Sequence, residues 1–566
     1  MNEFIKNGKK FLIRPQNSVV SAASVIMVMV VASRILGLIR QRVLANYFAP
    51  DELSLFFAAF RLPDLLFEVL VFGTFSSAFI PVFTKEFKER KSLAWETAGR
   101  VVNIGLLIFV VFALLFGIFA QPIYSFMAPG FSEAEILRIA QIARILFAAQ
   151  GFFVVSYILT GVLESQRRFL IPALAPVFYN LGIVVLTVLL SPSLGLLAPT
   201  LGVVLGALAH FLTQLPLAHK LGFKFVWGIR PDEGTKKIGK LALPRVIDLS
   251  FDQIGKTAEL FLASLISTAS YTYFTFANIL QVLPVTLFGT SLAKASLPLL
   301  SRQGDDPISF RKTLLTAISQ SIFLTVPISI ALIVLRIPAV RLVYGTRIFD
   351  WASTVQTGMV LSTFALGITF QTLVAILGRA FFALHDTKTP VFVSFVGLFL
   401  LVVGDFLLVI YFGLPVWALA ASFSFSVFIE TILLFYLMER RIGGILTKGT
   451  FIRFFKILLA SVPSGLTMYF ILKFFDRSVW IKRISFVSAI NLPFERFVLD
   501  TRYTLNLLIL TFIVAAVGMA IYFGISYLAK SEELVLLFST VRRIFQRKKV
   551  IVSSKETIST PIDEPS

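Results

Sequence analysis

The chain has 566 residues, of which 57% are hydrophobic and 15% charged, with 60 Phe and a formal net charge of +21. A water-soluble protein of this length has no means of burying so much apolar surface, so the composition excludes a soluble enzyme and makes a membrane the solvent. With no Cys and only three scattered His (His210, His219 and His385), no disulfide framework, thiol nucleophile, metal centre or cofactor is expected.

Residues 1–18 form a basic tail carrying Lys6, Lys9, Lys10 and Arg14. The apolar stretch behind it runs straight into Ser33-Arg34 without a small-residue cleavage site, so it reads as a first span and not as a removed signal peptide. From there, apolar runs of roughly 20 residues predict about fourteen spanning helices and an all-α polytopic membrane protein. Their centres fall near residues 31, 71, 110, 149, 180, 206, 255, 286, 325, 366, 401, 427, 464 and 517.

The connecting loops alternate in charge. Lys85 to Arg100, Arg167 and Arg168, Lys220 to Arg245, Arg302 to Lys312, Lys388, Arg440 to Lys456 and the C-terminal tail are basic. The intervening loops near 192, 268 and 413 carry no Lys or Arg. Basic loops stay inside, so both termini are expected in the cytoplasm, and the positive charge serves orientation and anionic lipid, not nucleic acid. The last outer loop, 476–502, departs from the alternation with Arg477, Lys482, Arg483, Arg496 and Arg502, at a point where charge is a weak determinant of topology.

The chain also repeats itself at an offset of about 217 residues. Phe72-Gly73-Thr74, followed by Ser77 to Pro81, returns as Phe288-Gly289-Thr290, followed by Ala295 to Pro298. Arg167 to Pro172 pairs with Asp386 to Pro390, and Ala128 to Phe131 with Val343 to Thr346. Each repeat holds six spans, an even number, so the two pseudo-symmetric lobes share one orientation and leave a cleft of the kind in which secondary transporters bind substrate. The expected organisation is a tail (1–18), an N-lobe (19–220), a cytoplasmic linker (221–243), a C-lobe (244–440), a two-helix extension (441–530) and a basic cytoplasmic tail (531–566). The cluster Arg542, Arg543, Arg547, Lys548 and Lys549 in that tail reads as an anchor on the membrane surface.

Charges inside the spans carry the functional signal, because each is expensive in hydrocarbon. Arg34 and Arg40 lie six residues apart and project about 120° from one another. Arg40, like Arg42, is near enough to the outer interface to snorkel, whereas Arg34 is deeper. An Arg aimed into a cavity suits a phosphate, since its planar fork makes paired charge-assisted hydrogen bonds. Arg61, Asp64 and Glu68 open the second span, with Arg61 expected at the interface and Glu68 deeper.

In the seventh span Asp248, Asp252, Lys256 and Glu259 are spaced at four, four and three residues, a column of charge on one helix face. The column is either a self-neutralised ladder or a cavity wall where a carboxylate takes up a proton or cation and Lys256 holds an anion. Lys294, near the inner end of the eighth span, either snorkels or adds a cation. Gly255-Lys256-Thr257 has the ending of a phosphate loop without its earlier glycine, so an ion gradient or the membrane potential, not ATP, is the expected energy source. The candidate anion-binding set is Arg34, Arg40, Arg61, Lys256 and Lys294; the candidate coupling acids are Asp248, Asp252, Glu259 and Glu68.

Ser33-Arg34-Ile35-Leu36-Gly37-Leu38-Ile39-Arg40, Phe56 to Leu66, Gly73 to Val82 and Arg379 to Val391 together resemble the signature segments of the MurJ (MviN) lipid II flippases, over residues 19 to about 530. The resemblance implies a MATE/MOP-like fold of two six-helix lobes around an electropositive cavity. It also implies transport of an undecaprenyl-pyrophosphate-linked peptidoglycan precursor from the inner to the outer leaflet of the bacterial cytoplasmic membrane by alternating access. The pyrophosphate would sit on the candidate cations, and the lipid tail in a groove with spans 13 and 14. The chain departs from the family pattern at charged positions, which fall here on Gln41, Ser54, Phe67, Glu68, Phe72, Asn278 and Ile279. Three readings stay open: a lipid II flippase with Lys256 and Lys294 supplying the missing charge, a flippase for another polyprenyl-linked glycan or amphiphile, and a non-transporting membrane scaffold.

Overall fold

The computed structural model describes residues 19–69, 78–226, 228–445, 447–476, 501 and 503–539, with the side chains of 19–28 and 242–249 outside that description. The expected charges Arg477 to Arg496, the paired Phe72-Gly73-Thr74 and the basic cluster from Arg542 to Lys549 lie outside the described residues.

The first repeat holds α1 (Val19–Tyr47), α2 (Pro50–Ala59), α3 (Arg61–Phe67), α4 (Ile80–Glu89), α5 (Lys91–Ile118), α6 (Ala120–Met127), α7 (Glu133–Ser165), α8 (Leu170–Leu194) and α9 (Leu197–Leu221). The second holds α10 (Glu233–Ile266), α11 (Ser270–Pro284), a π-turn (Val285–Thr290), α12 (Ser291–Arg302), α13 (Pro307–Val334), α14 (Arg336–Tyr344), α15 (Trp351–Ala383), α16 (Lys388–Phe406) with a π-turn (Leu407–Tyr411), and α17 (Trp417–Ile442). Two further helices, α18 (Lys448–Phe475) and α19 (Thr504–Leu528), come after them. Among the described residues eleven helices are long and apolar enough to cross a membrane, and they account for eleven of the fourteen expected centres. Centres 31 and 255 fall in α1 and α10, and centre 71 lies outside the described residues.

The chain packs as two compact units, the first made of 1–283, 336–367 and 387–430 and the second of 284–335, 368–386 and 431–566. In the first unit, α8 and α9 meet through Gly182, Gly202 and Gly206, where a methyl on Gly182 would stand 2.7 Å from the Gly206 Cα. Small residues let two backbones approach when no hydrophobic effect drives helices together in lipid. The helix starts are set locally. Ser132 and Glu135 form a capping box on α7, and the Asp232 carboxylate caps α10 at Thr235.

Asp232 does more than cap. It also accepts from Arg100 at 2.7 Å and Thr97 at 3.0 Å, while Asn103 donates to the carbonyls of Val226 and Gly228, so the linker is clasped onto α5. Burial pushes the Asp232 carboxyl up, but the hydrogen bonds from Thr235, Thr97 and Arg100 outweigh it and hold its pKa below the usual carboxylate value.

The opposite end of this unit shows the repeat in three dimensions. Tyr124 on α6 donates to the Ala59 carbonyl at 2.8 Å, and Tyr344 on α14 donates to the Phe276 carbonyl at 3.0 Å. Each loop also reaches the other repeat. Gly130 N donates to Ser264 Oγ at 3.1 Å, at the end of α10, and Thr346 Oγ1 donates to the Ala45 carbonyl at 2.7 Å, at the end of α1. Between them Ser54 and Thr272, themselves repeat partners, meet with their hydroxyls 2.9 Å apart, and Thr272 N donates to Ser54 Oγ at 3.0 Å.

In the second unit, α18 and α19 pack on each other around Met468, Leu472, Leu510 and Val514. Tyr522 donates to the Phe323 carbonyl of α13 at 2.7 Å. Gly289, in the second Phe-Gly-Thr motif, lies in the π-turn against Thr372, where any Cβ would collide. Close backbone approach is thus one reason for glycine in that motif.

Candidate functional site

All lining residues of the central cavity belong to the first unit. The cavity has a volume of about 390 Å³ and is walled by α1, α2, α3, α8, α10 and α11. Arg40, Arg61 and Lys256 face it together with Asp64, Glu68 and Glu259, and Tyr179, Tyr271 and Asn278 complete the polar wall. Arg40, Gln41, Tyr179, Asn278 and Ile279 also line a second cleft of about 650 Å³, which adds Arg34, Glu164 and Asn180. The two spaces therefore share a wall, with Arg34 on one side and Arg61 on the other.

The polar groups are tied across helices. Arg61 is only 6% exposed, and its guanidinium donates to Gln253 Oε1. The Gln253 amide in turn donates to Glu68 Oε2, which lies 3.2 Å from Lys256 Nζ. Lys256 also pairs with Asp252 at 2.7 Å, one helical turn away. Asp64 accepts from Gln150 on α7 at 2.6 Å. Arg40 stacks over Tyr179 at 5.9 Å, and Asn180 holds α1 by donating to the Ser33 carbonyl at 3.4 Å. Arg40, Arg61, Lys256, Asp64 and Glu68 each meet an opposite charge, an amide or a ring, as charges withdrawn from water require. Three basic and three acidic side chains line the central space.

Most sequence candidates meet here, and others do not. Arg34, Arg40, Arg61, Lys256, Glu68 and Glu259 line the joined spaces. Asp252 is exposed and touches the site only through Lys256. Asp248 lies in α10 with its side chain outside the described residues, and Lys294 is an exposed residue of α12 in the second unit. The column on α10 is not a simple ladder: Lys256 bridges Asp252 to Glu68 of α3's end, while Glu259 faces the cavity. Arg61 is buried in the cavity wall, a placement that a hydropathy run cannot give because it does not tell which face of a helix a charge is on. Arg42 donates to the Leu342 carbonyl at 2.6 Å.

Sequence reasoning passed over Gln253, Gln150 and Tyr179, which are neutral, and Asp405 on α16. Asp405 is fully buried beside Ser422 and within electrostatic reach of Glu259. Its signal was available, an acid inside an apolar run. Among the described residues no group of three or more His, Asp or Glu is arranged to hold a metal ion.

The family profile described as "Lipid II flippase MurJ" matches residues 44–488. The chain belongs to that family. Similar MurJ relatives include "Probable lipid II flippase MurJ" of Buchnera aphidicola, 27% identical over 493 residues that cover 84% of this chain and 94% of the relative. The protein of the same description from Vibrio cholerae is 29% identical over 433 residues, covering 73% and 81%. "Lipid II flippase MurJ" of Burkholderia cenocepacia is 27% identical over 461 residues, covering 77% and 86%.

The fold is similar to a solved structure of "Lipid II flippase MurJ, inward closed conformation", with a TM-score of 0.70 at 22% identity over 88% of this chain and 98% of that one. An inward-facing multidrug MATE transporter of the MOP superfamily matches with a TM-score of 0.61 at 16% identity, covering 73% of this chain and 94% of its own. The chain is thus an all-helical membrane protein with the fold shared by MurJ and MATE/MOP transporters. Glu68, which with Phe67 stands where the resemblance led us to expect basic residues, is the group that Lys256 engages.

Proposed function

We propose that this protein flips lipid II, an undecaprenyl-pyrophosphate-linked peptidoglycan precursor, from the inner to the outer leaflet of a bacterial cytoplasmic membrane by alternating access. The protein is then a transporter and not an enzyme, organised as lobes 19–220 and 244–440 with an extension at 441–530 and with both termini cytoplasmic. The observation that carries the reading is the chain of cations from Arg34 through Arg40 to Arg61 and Lys256 along two joined spaces, in a member of the MurJ family.

An anionic head group cannot cross hydrocarbon unaided, and guanidinium forks replace its hydration. Arg34, exposed in the second cleft, meets the pyrophosphate first; Arg40 and Arg61 receive it in the cavity. The Ser54–Thr272 pair and the reciprocal loop contacts close the end that the charge pattern assigns to the outside. Alternating access then consists in breaking those contacts while closing the other end.

The three acidic side chains in the cavity favour a second reading, a flippase for a polyprenyl-linked glycan with a less charged head group. The test is rescue of a bacterium depleted of its own lipid II flippase. Wild type is expected to restore growth and Arg34→Ala, inserted at equal level, to fail. A well-inserted wild type that does not restore growth in several hosts, but does rescue loss of another lipid-linked glycan flippase, overturns the first reading for the second.

A further inference from the structure

We propose that an apolar groove of the first unit holds one phospholipid, with its phosphate on Arg144 and an acyl chain lying between α5 and α7. The groove is apart from the charged cavity, and the inference does not depend on the head-group reading. It has a volume of about 930 Å³, is walled by α5, α7 and α9, and ends against Phe225 of the linker. Its rim on α5 is Val110, Leu114 and Ile118, spaced one turn apart and exposed, so it opens where a spanning helix meets hydrocarbon. From Leu106 to Ile118 it runs about 18 Å along α5, against roughly 15 Å for one leaflet's share of a bilayer's hydrocarbon. Gly117 and Gly151 keep its floor open. A methyl on either would meet one side-chain carbon, at 3.9 Å and 3.8 Å, whereas a methyl on Gly182 or Gly206 would strike backbone. Helix packing therefore does not use the space over Gly117 and Gly151, and a hydrocarbon chain can lie in it.

Arg144 decides what the occupant carries at its head. Among the described residues it is the one charged group lining the groove, and it sits at the last turn of α5. Its Nε donates to the Gly117 carbonyl at 2.8 Å, one of the carbonyls that a helix end leaves unpaired. That bond fixes the guanidinium at the mouth of the groove, and its two terminal nitrogens have no protein acceptor among the described residues. A cation beside hydrocarbon is costly until an anion meets it, and the planar fork fits two phosphate oxygens. Snorkelling accounts for an exposed Arg at the end of a span, but not for the open groove beneath it. An apolar chain gains little by leaving lipid for an apolar groove, so residence has to come from the head. A partner's helix would have to bring a carboxylate to the same depth and bury it, whereas a phospholipid already carries its phosphate at the end of its chains.

The test is native mass spectrometry of the full chain in mild detergent, with phosphatidylglycerol added stepwise. Wild type is expected to bind a first lipid roughly tenfold more tightly than those that follow, the margin that charge-assisted hydrogen bonds supply. Arg144→Gln keeps a donor for the Gly117 carbonyl and loses the charge and the fork. Gly151→Leu fills the floor at a point where a side chain meets no backbone. Each should lose the first-site preference, and Gly151→Leu decides the matter if the Gln variant does not insert. Diacylglycerol, with the same chains and no phosphate, should show no first site on wild type. A wild type without a first site, a first site kept by either inserted variant, or equal binding of diacylglycerol overturns the proposal. Tighter first-site binding of undecaprenyl phosphate than of phosphatidylglycerol gives the groove to a polyprenyl carrier and overturns the phospholipid assignment. A copurified polypeptide that stays on wild type and leaves Gly151→Leu gives it to a partner protein and overturns the assignment as well.

Discussion

At the scale of single residues, the cavity works by sharing. Gln253 is a neutral side chain that touches both an arginine and a carboxylate, so Gln253→Leu should leave Arg61 without its amide partner and Glu68 with Lys256 alone. Lost hydrogen bonds to charged groups cost about 1.5–3 kcal/mol each, so complementation of a flippase-depleted strain should fall at least tenfold while membrane levels stay unchanged. Retained activity in that variant contradicts the assigned network. The charged members of the site were legible in the sequence because a charge in an apolar run has to be explained. Their amide and phenol partners were not, since Gln253, Gln150 and Tyr179 cost little in a helix and gain meaning only from what another helix places opposite. Lys294 shows the reverse: it carried the same signal as Lys256 but is exposed.

Elements are held at their ends. The chain has no Cys, so Ser54→Cys and Thr272→Cys can be introduced as a disulfide pair without interference, at positions whose hydroxyls lie 2.9 Å apart. Oxidation is expected to form that bond and stop transport, and reductant to restore it; full transport by the crosslinked protein contradicts a gating role for this end. At the other end, Asp232→Ala removes the cap of α10 and the Arg100 and Thr97 contacts, with an expected loss of about 1 kcal/mol or more, read as a lower melting temperature in detergent. Because the folded-state pKa of Asp232 is depressed, its stabilisation is fully present above the ordinary carboxylate pKa and is lost as pH falls through the lower folded value. The wild-type melting temperature should therefore drop on acidification more than that of the Ala variant.

For the molecule as a whole, the repeat and the alternation of loop charge were readable because each is a pattern over hundreds of residues. Which repeat closes on which was not, since Tyr124, Tyr344, Ser54 and Thr272 carry no mark of pairing until the chain is folded. The proposed orientation predicts that Ser193→Cys is labelled by an impermeant maleimide in intact cells and Arg302→Cys only after permeabilisation; the opposite pattern inverts the topology. One consequence belongs to α10. Its 34 residues span about 51 Å, and the clasp of Asp232 and Asn103 fixes only its linker end. The helix is thus a long lever with a fixed fulcrum. A tilt of about 10° there carries Ser264 roughly 8 Å sideways, far beyond the reach of its bond to Gly130, while Lys256 and Gln253, nearer the fulcrum, travel less. A small rotation at the linker end would be amplified into release at the Ser264 end, with the cavity residues riding along at intermediate displacement.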